Sequence, residues 1–507
     1  MNKKIIFWLD SDFVQFGLAH QLQKKYESDF YAVVDITNKT KSFFQKQNII
    51  KFQKLWYYFD YVKKTKSSPD TDYLKNIEQK YQINLWELAL NERIFQRFNH
   101  FYEFSRDEIL SILEQECKLF ESVLDQVQPD FFLSKETIQH KDHLFYLMCK
   151  GRGVKTLMRS EPKFGKKTMI TNESQKFDSI ETLDNIEGEG RNFDELLKCR
   201  NSFNPSATIN QYIEDFAPLN TERLRAAIKF LFLSDNDNSK THYTYYGRTK
   251  LRVLLHELSM NFKKRSRQSF IDKNFISKLP PNEKFIYFAL SVDQERNLLL
   301  SAPFFTNQLE MIRNIVKSMP VNFKLYVKEA PAQATRQWRS IAEYQEMIDT
   351  PNVSMVHPSV SPIELYKKCS LVITISGSSA FEAAFYQKPS IVFADVSYTM
   401  LPSVTRIKSI DELSKGITES LKKQVKASDL DKYLKLLEKK SFFFDNFDLQ
   451  TKEHYHFFYG GHLVDVDVST SKMKSFLEEN KSEFKKLTEE YIKKIIDSEE
   501  ITTNDSV

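Results

Sequence analysis

Cysteine is scarce in this sequence. Its 507 residues hold four, Cys117, Cys149, Cys199 and Cys369, scattered with no CxxC pair. That argues against a disulfide scaffold or a cysteine zinc site and fits a reducing compartment, the cytoplasm by default. Charge of one sign does not prevail either. The 73 basic and 68 acidic residues leave a net charge of +5, so no global field points to nucleic acid. Long hydrophobic runs are missing, and none approaches the roughly 20 residues of a membrane helix. The short apolar run at the N-terminus stops at Asp10 and Asp12, too early for a signal-peptide core. Membrane association is therefore expected only as peripheral contact at the inner face. No solenoid-period repeat, G-x-S-x-G elbow or complete P-loop occurs, so repeat, hydrolase and P-loop kinase readings lack support. His140, His143, His454, His456 and His462 show no metal spacing backed by a third ligand and are assigned surface or packing roles.

What is present describes a globular chain. Hydrophobic residues make up 41%, and 42 Phe with 23 Tyr exceed what a disordered chain carries. The length implies two domains with connecting or terminal helices. Residues 1–164 alternate strand and helix: Ile5 to Leu9, a helix near Val14 to Tyr26, Phe30 to Asp35, a long amphipathic helix Glu108 to Val127, Phe131 to Leu133, a helix around His143 to Lys150, then a strand Val154 to Met158. Residues 165–280 are less periodic and end in a linker helix. A second alternation fills 281–428, with Phe285 to Leu290, Phe323 to Val327, Val353 to Val356, Leu371 to Ile375 and Ser390 to Phe393 as strands. Residues 429–507 read as charged helices packing across both domains. The expected fold class is α/β, two Rossmann-like domains in a GT-B-like arrangement with C-terminal helices.

Ligands of open α/β sheets bind beyond the carboxyl ends of the strands. Ser376, Gly377, Ser378 and Ser379 occupy such a place, between a strand and a helix. Gly377 permits close backbone approach, the hydroxyls suit phosphate oxygens, and Glu382 one turn on suits ribose hydroxyls. An ordinary capped helix with no ligand is the alternative. Lys328 follows a buried strand, where a cation would neutralise a leaving phosphate, and Arg336 begins the next helix within reach of an anion. Asp12 is the base candidate from the first domain, against a helix-capping role. The DxD spacing of Asp10 and Asp12 recurs at Asp70/Asp72, Asp235/Asp237, Asp429/Asp431 and Asp465/Asp467 and assigns no metal. The basic run Lys263 to Arg267, after an apolar helical face with Phe262, reads as a solvated linker or as a contact for anionic headgroups.

One resemblance is specific. Asn307-Gln308, Lys-Leu-Tyr-Val-Lys-Glu-Ala-Pro at 324–331, Pro-Asn-Val at 351–353, Ile-Ser-Gly-Ser-Ser-Ala-Phe-Glu-Ala at 375–383 and Lys-Pro-Ser-Ile-Val-Phe at 388–393 occur in order. Together they resemble the capsule polysaccharide biosynthesis family, which includes glycosyltransferases that add Kdo. The resemblance implies a glycosyltransferase of surface polysaccharide assembly that takes a nucleotide-activated sugar to a glycan or glycolipid acceptor, with the donor on the second domain. No cofactor or metal is implied as obligatory, and a divalent ion stays an open question. The family usually reads Lys-Glu-His-Pro where this chain has Ala330, and it has a proline that Asp293-Gln294-Glu295 lacks. Glu295 is retained as the carboxylate that would orient a substrate hydroxyl. A catalytically silent binding protein and a sugar-nucleotide epimerase remain the alternatives.

Overall fold

The structure, a computed structural model, describes residues 2–65, 67–95, 97–178, 181–202, 220–234, 237–334 and 339–504; Arg336 lies outside them. Strand β1 (Lys3–Leu9) carries Ile5, Ile6, Phe7, Trp8 and Leu9 in succession, all buried. Apolar side chains on both faces suit a parallel strand covered by helices on each side. β1 lies mid-sheet accordingly. It pairs in parallel with β2 (Ser28–Val34) and β4 (Phe131–Lys135), while β3 (Lys54–Tyr57) and β5 (Lys155–Ser160) extend the two flanks. β6 (Lys167–Thr171) joins β5 antiparallel, so the first sheet runs past the boundary drawn at residue 164.

The second sheet is built from β7 (Phe285–Ala289), β8 (Lys324–Lys328), β9 (Val353–Val356), β10 (Leu371–Thr374), β11 (Ser390–Val392) and β12 (Val404–Arg406). All of its pairings are parallel, in the order β12-β11-β10-β7-β8-β9. The first sheet has the order β13-β6-β5-β4-β1-β2-β3, where β13 is Phe442–Phe443, antiparallel to β6. Both are doubly wound. The strand order reverses between β1 and β4 in one sheet and between β7 and β10 in the other, and crevices for ligands open at such switch points.

Local signals set the helices. Ser105 and Glu108 form a capping box at the head of Arg106–Val127, whose buried residues recur at helical spacing. Beyond Ala427–Lys440, where Tyr433 packs on Phe381 of the second domain at 5.2 Å, the chain crosses back through β13. Asn446–Phe457, Thr470–Glu479 and Lys481–Asn504 then cover the first sheet. The last of these lies against Phe13–Lys25 where Gly17 leaves room for Phe484: a Cβ at residue 17 would stand 2.3 Å from that ring.

Candidate functional site

The loops that follow the switch-point strands meet. On the first domain these are Asp10-Ser11-Asp12 after β1, Glu136-Thr137 after β4 and Glu161-Pro162-Lys163 after the neighbouring β5. On the second they are Leu290 to Glu295 after β7 and Ile375 to Ser378 after β10. Lys163 Nζ donates to the carbonyl of Ser376 at 2.9 Å, and Arg296 Nε donates to the carbonyl of Thr137 at 2.5 Å. Ser397 N donates to Gln175 O at 2.8 Å, and the Gln175 side chain donates to Asn297.

Three carboxylates and a lysine gather there. Glu136 accepts from Ser160 Oγ at 2.5 Å and Ser174 Oγ at 2.7 Å. Glu161 accepts from Asn446 Nδ2 at 3.1 Å. Burial, reinforced by the Glu136 charge, pushes its carboxyl up to about 7. Burial pulls Lys163 down to about 8 against the charges of Glu136 and Glu295. A carboxylate and an amine that both titrate near neutrality in a cleft have the properties of proton-transfer groups. Sequence reasoning missed both. The strand read as ending at Met158 continues to Ser160, and following it to its carboxyl end would have pointed to Glu161.

Beside this cluster a cavity of about 430 Å³ lies at the β1/β4 switch point. Asp10, Lys135, Gln139, Arg93 and Arg248 line it, and Gln294 enters from the second domain. Asp10 and Lys135 pair at 2.8 Å. Asp12 does not offer a free base. It caps Phe13–Lys25 by accepting from Val14 N at 3.0 Å and pairs with Arg159 at 2.9 Å and Lys135 at 3.5 Å. Burial alone would raise its carboxyl; the two cations outweigh that and hold it low. The capping role is the one observed.

The 376–379 turn sits at the β7/β10 switch point, as the sequence suggested, with its side chains committed inward. Ser376 Oγ donates to the carbonyl of Asn297, Ser378 Oγ donates to Glu382 at 3.1 Å, and the Tyr366 hydroxyl pairs with Ser379. Gly377 lies over Thr374, whose Oγ1 a Cβ would meet at 2.7 Å. The turn thus presents mainly backbone, and first-turn amides of a helix have no intrahelical partner. Both Glu382 oxygens are occupied: Oε1 by Ser378 and Oε2 by Arg200 Nη2 at 2.5 Å. Arg200 comes from Phe193–Ser202, a segment read as irregular, and Glu382 is more a structural partner than an open ribose acceptor.

Lys328 is likewise engaged. Its ammonium donates to the carbonyls of Pro358 at 2.9 Å and His357 at 3.4 Å, toward β9 and away from the 376–379 turn. Burial lowers it to about 8, with Glu329 opposing. Its place beside a leaving phosphate is not what this geometry favours. Glu329 and Arg339 are buried: Arg339 Nε meets Glu329 at 2.8 Å and its Nη1 meets Asp293. Asp293 also accepts from Gln308 Nε2 at 2.7 Å. This triad anchors the turn that carries Gln294, Glu295 and Arg296. Glu295 itself begins Arg296–Leu299, close enough for its charge to support Lys163. Among the described residues no three His, Cys, Asp or Glu side chains form a metal-holding group.

A family model described as capsule polysaccharide biosynthesis protein matches residues 190–443, half of the chain. The chain belongs to this family. The matched span takes in the whole second sheet, the Arg200–Glu382 pair and β13, so the capsule polysaccharide biosynthesis assignment rests on the domain with the 376–379 turn. No curated protein matches the chain. Among solved structures, KpsC, a beta Kdo 2,7 transferase of Thermosulfurimonas dismutans, is 13% identical over 70% of this chain and 98% of its own, with a TM-score of 0.27. UDP-GlcNAc 2-epimerase of Methanocaldococcus jannaschii is 13% identical over 87% and 100%, TM-score 0.24. The Neisseria meningitidis epimerase, solved bound to UDP-GlcNAc, is 13% identical over 86% and 99%, TM-score 0.21.

Proposed function

We propose that this capsule-family protein is a glycosyltransferase that moves a sugar from a nucleotide-activated donor to a glycan or glycolipid acceptor. The observation that carries the reading is the meeting of two switch points, bridged by the bond from Lys163 to the Ser376 carbonyl. A group transfer needs two substrates held face to face with a base between them. In this reading the backbone of the 376–379 turn holds the donor phosphates. The cavity beside β1 and β4 receives the acceptor. Glu161 accepts the acceptor hydroxyl proton as the new glycosidic bond forms and the nucleotide leaves with the electron pair of the old one. Lys163, between Glu136 and Glu295, stabilises the charge that develops. Glu161 takes the part first given to Asp12. No metal is needed by this scheme, and the work is assigned to the cytoplasmic side.

Ala330, in place of the family histidine, favours a second reading as a silent nucleotide-sugar binder. Two measurements separate them. Thermal stabilisation by one of CMP, UDP or GDP, or by its sugar conjugate, is expected under both. Donor consumption that Glu161→Gln abolishes is expected only of the transferase. If no nucleotide shifts the melting temperature, the donor site on the second domain is wrong.

A further inference from the structure

The helix Lys250–Asn274 is 25 residues long, yet Ile271 is its one buried residue. Leu251, Leu255, Leu258 and Phe262 are 67%, 56%, 59% and 72% exposed. At 3.6 residues per turn their spacing keeps all four within an arc of about 60°, so they form one uncovered apolar stripe. The opposite face holds the helix to the protein. His256 packs on His100 and Phe101 at 5.3 and 5.0 Å, and Arg252 Nη1 donates to the Phe101 carbonyl at 3.1 Å. At its C-terminal end Phe275 packs on Tyr344 at 5.3 Å. The neighbouring helix Asn220–Phe232 shows Leu224, Ile228 and Phe232 exposed at the same i, i+4 spacing, and Lys250 Nζ ties the two by donating to the Leu231 carbonyl at 2.8 Å.

The charge on this element decides what covers it. Lys250–Asn274 has seven basic and two acidic residues, a net +5 that equals the net charge of the whole chain. Lys263, Lys264, Arg265 and Arg267 crowd the turns just beyond Phe262. A second copy docking through the same stripe would set +5 against +5, which symmetric association disfavours. An apolar stripe with a cationic surround matches an anionic lipid surface, where the apolar residues enter the acyl boundary and the cations meet headgroups.

We infer that Lys250–Asn274 is an interfacial membrane helix, which docks the protein on anionic bilayers through Leu251, Leu255, Leu258 and Phe262. The inference stands independently of the transfer reaction. Docking of this kind sets the cleft at a fixed height above the lipid, a placement suited to an acceptor whose tail is in the bilayer.

The full chain should co-sediment with vesicles of phosphatidylcholine and phosphatidylglycerol in a 7:3 ratio, a composition on the order of the anionic content of a charged leaflet. Binding should weaken at least tenfold, by order of magnitude, on pure phosphatidylcholine or in high salt. Leu258→Asn with Phe262→Asn should abolish it at an unchanged melting temperature, since neither side chain is packed. Lys263→Glu with Arg265→Glu should weaken it and flatten its dependence on anionic lipid. Absence of binding at any anionic fraction overturns the inference. So does equal binding by the apolar double variant, or a wild-type dimer that this variant dissolves and vesicles do not. None of these readouts uses a nucleotide, so their failure is distinct from failure of the donor site.

Discussion

Glu161 and His140 show how neighbouring charge turns a buried side chain into a reactive group or a fixed one. Glu161, with its carboxyl at about 7 through burial and Glu136, is half ionised at neutral pH. Only the ionised form accepts a proton, so kcat/KM should fall as pH drops through about 7. Glu161→Gln should lower turnover by about 10²–10⁴-fold, the span typical of general-base loss, with nucleotide affinity kept. A pH–rate profile of the wild type together with nucleotide titration of the variant checks both. His140 is held at 2.9 Å by Glu92 and at 2.9 Å by Glu116, and Tyr58 and Tyr243 complete the buried group. Burial alone would lower its pKa; the two carboxylates push it up to about 10. Its folded value is raised, so the stability it contributes is fully present below about 6.5 and is lost as pH rises through about 10. His140→Leu leaves two carboxylates uncompensated and should cost about 3–5 kcal/mol in denaturant unfolding at neutral pH. Ala330→His gives a further test: raised turnover would show that the departure from the family pattern limits the rate, and unchanged turnover would show that Glu161 and Lys163 suffice.

At the scale of elements, regular pattern was readable and tertiary partnership was not. Five successive apolar residues marked β1 as a strand, and Ser376 to Ser379 between Ile375 and Ala380 marked a strand-turn-helix. Arg200 meets Glu382, Arg159 meets Asp12 and Lys328 meets the Pro358 carbonyl across 182, 147 and 30 positions. Such pairs leave no periodic trace, so Asp12, Glu382 and Lys328 looked available when each was already bonded. β13 has only two residues and is recruited by the edge of β6 rather than by its own sequence. The packing of Phe13–Lys25 on Lys481–Asn504 is equally invisible from spacing, yet it is testable. Gly17→Ala drives a methyl into the Phe484 ring and should cost about 1–3 kcal/mol by overpacking. Gly17→Ala combined with Phe484→Leu should recover part of that loss, which a double-mutant cycle in denaturant would read.

Across the whole molecule, two sheets of the same strand order are set with their switch points together, and the chain returns through Phe442–Phe443 to tie the halves. The family match over residues 190–443 covers one half of that cleft. The first domain supplies Glu161, Lys163 and the cavity by β1 and β4, and the helix Lys250–Asn274 lies between the two sheets in the chain. A donor held on one domain and a base held on the other require both to be intact in a single assay. The decisive measurement is therefore a paired one: nucleotide-induced thermal stabilisation and donor turnover, for wild type and for Glu161→Gln. Stabilisation of both proteins by the same nucleotide, with turnover in the wild type alone, is the predicted result. A wild type that no nucleotide stabilises, or a Glu161→Gln variant that turns over donor at the wild-type rate, would contradict the account.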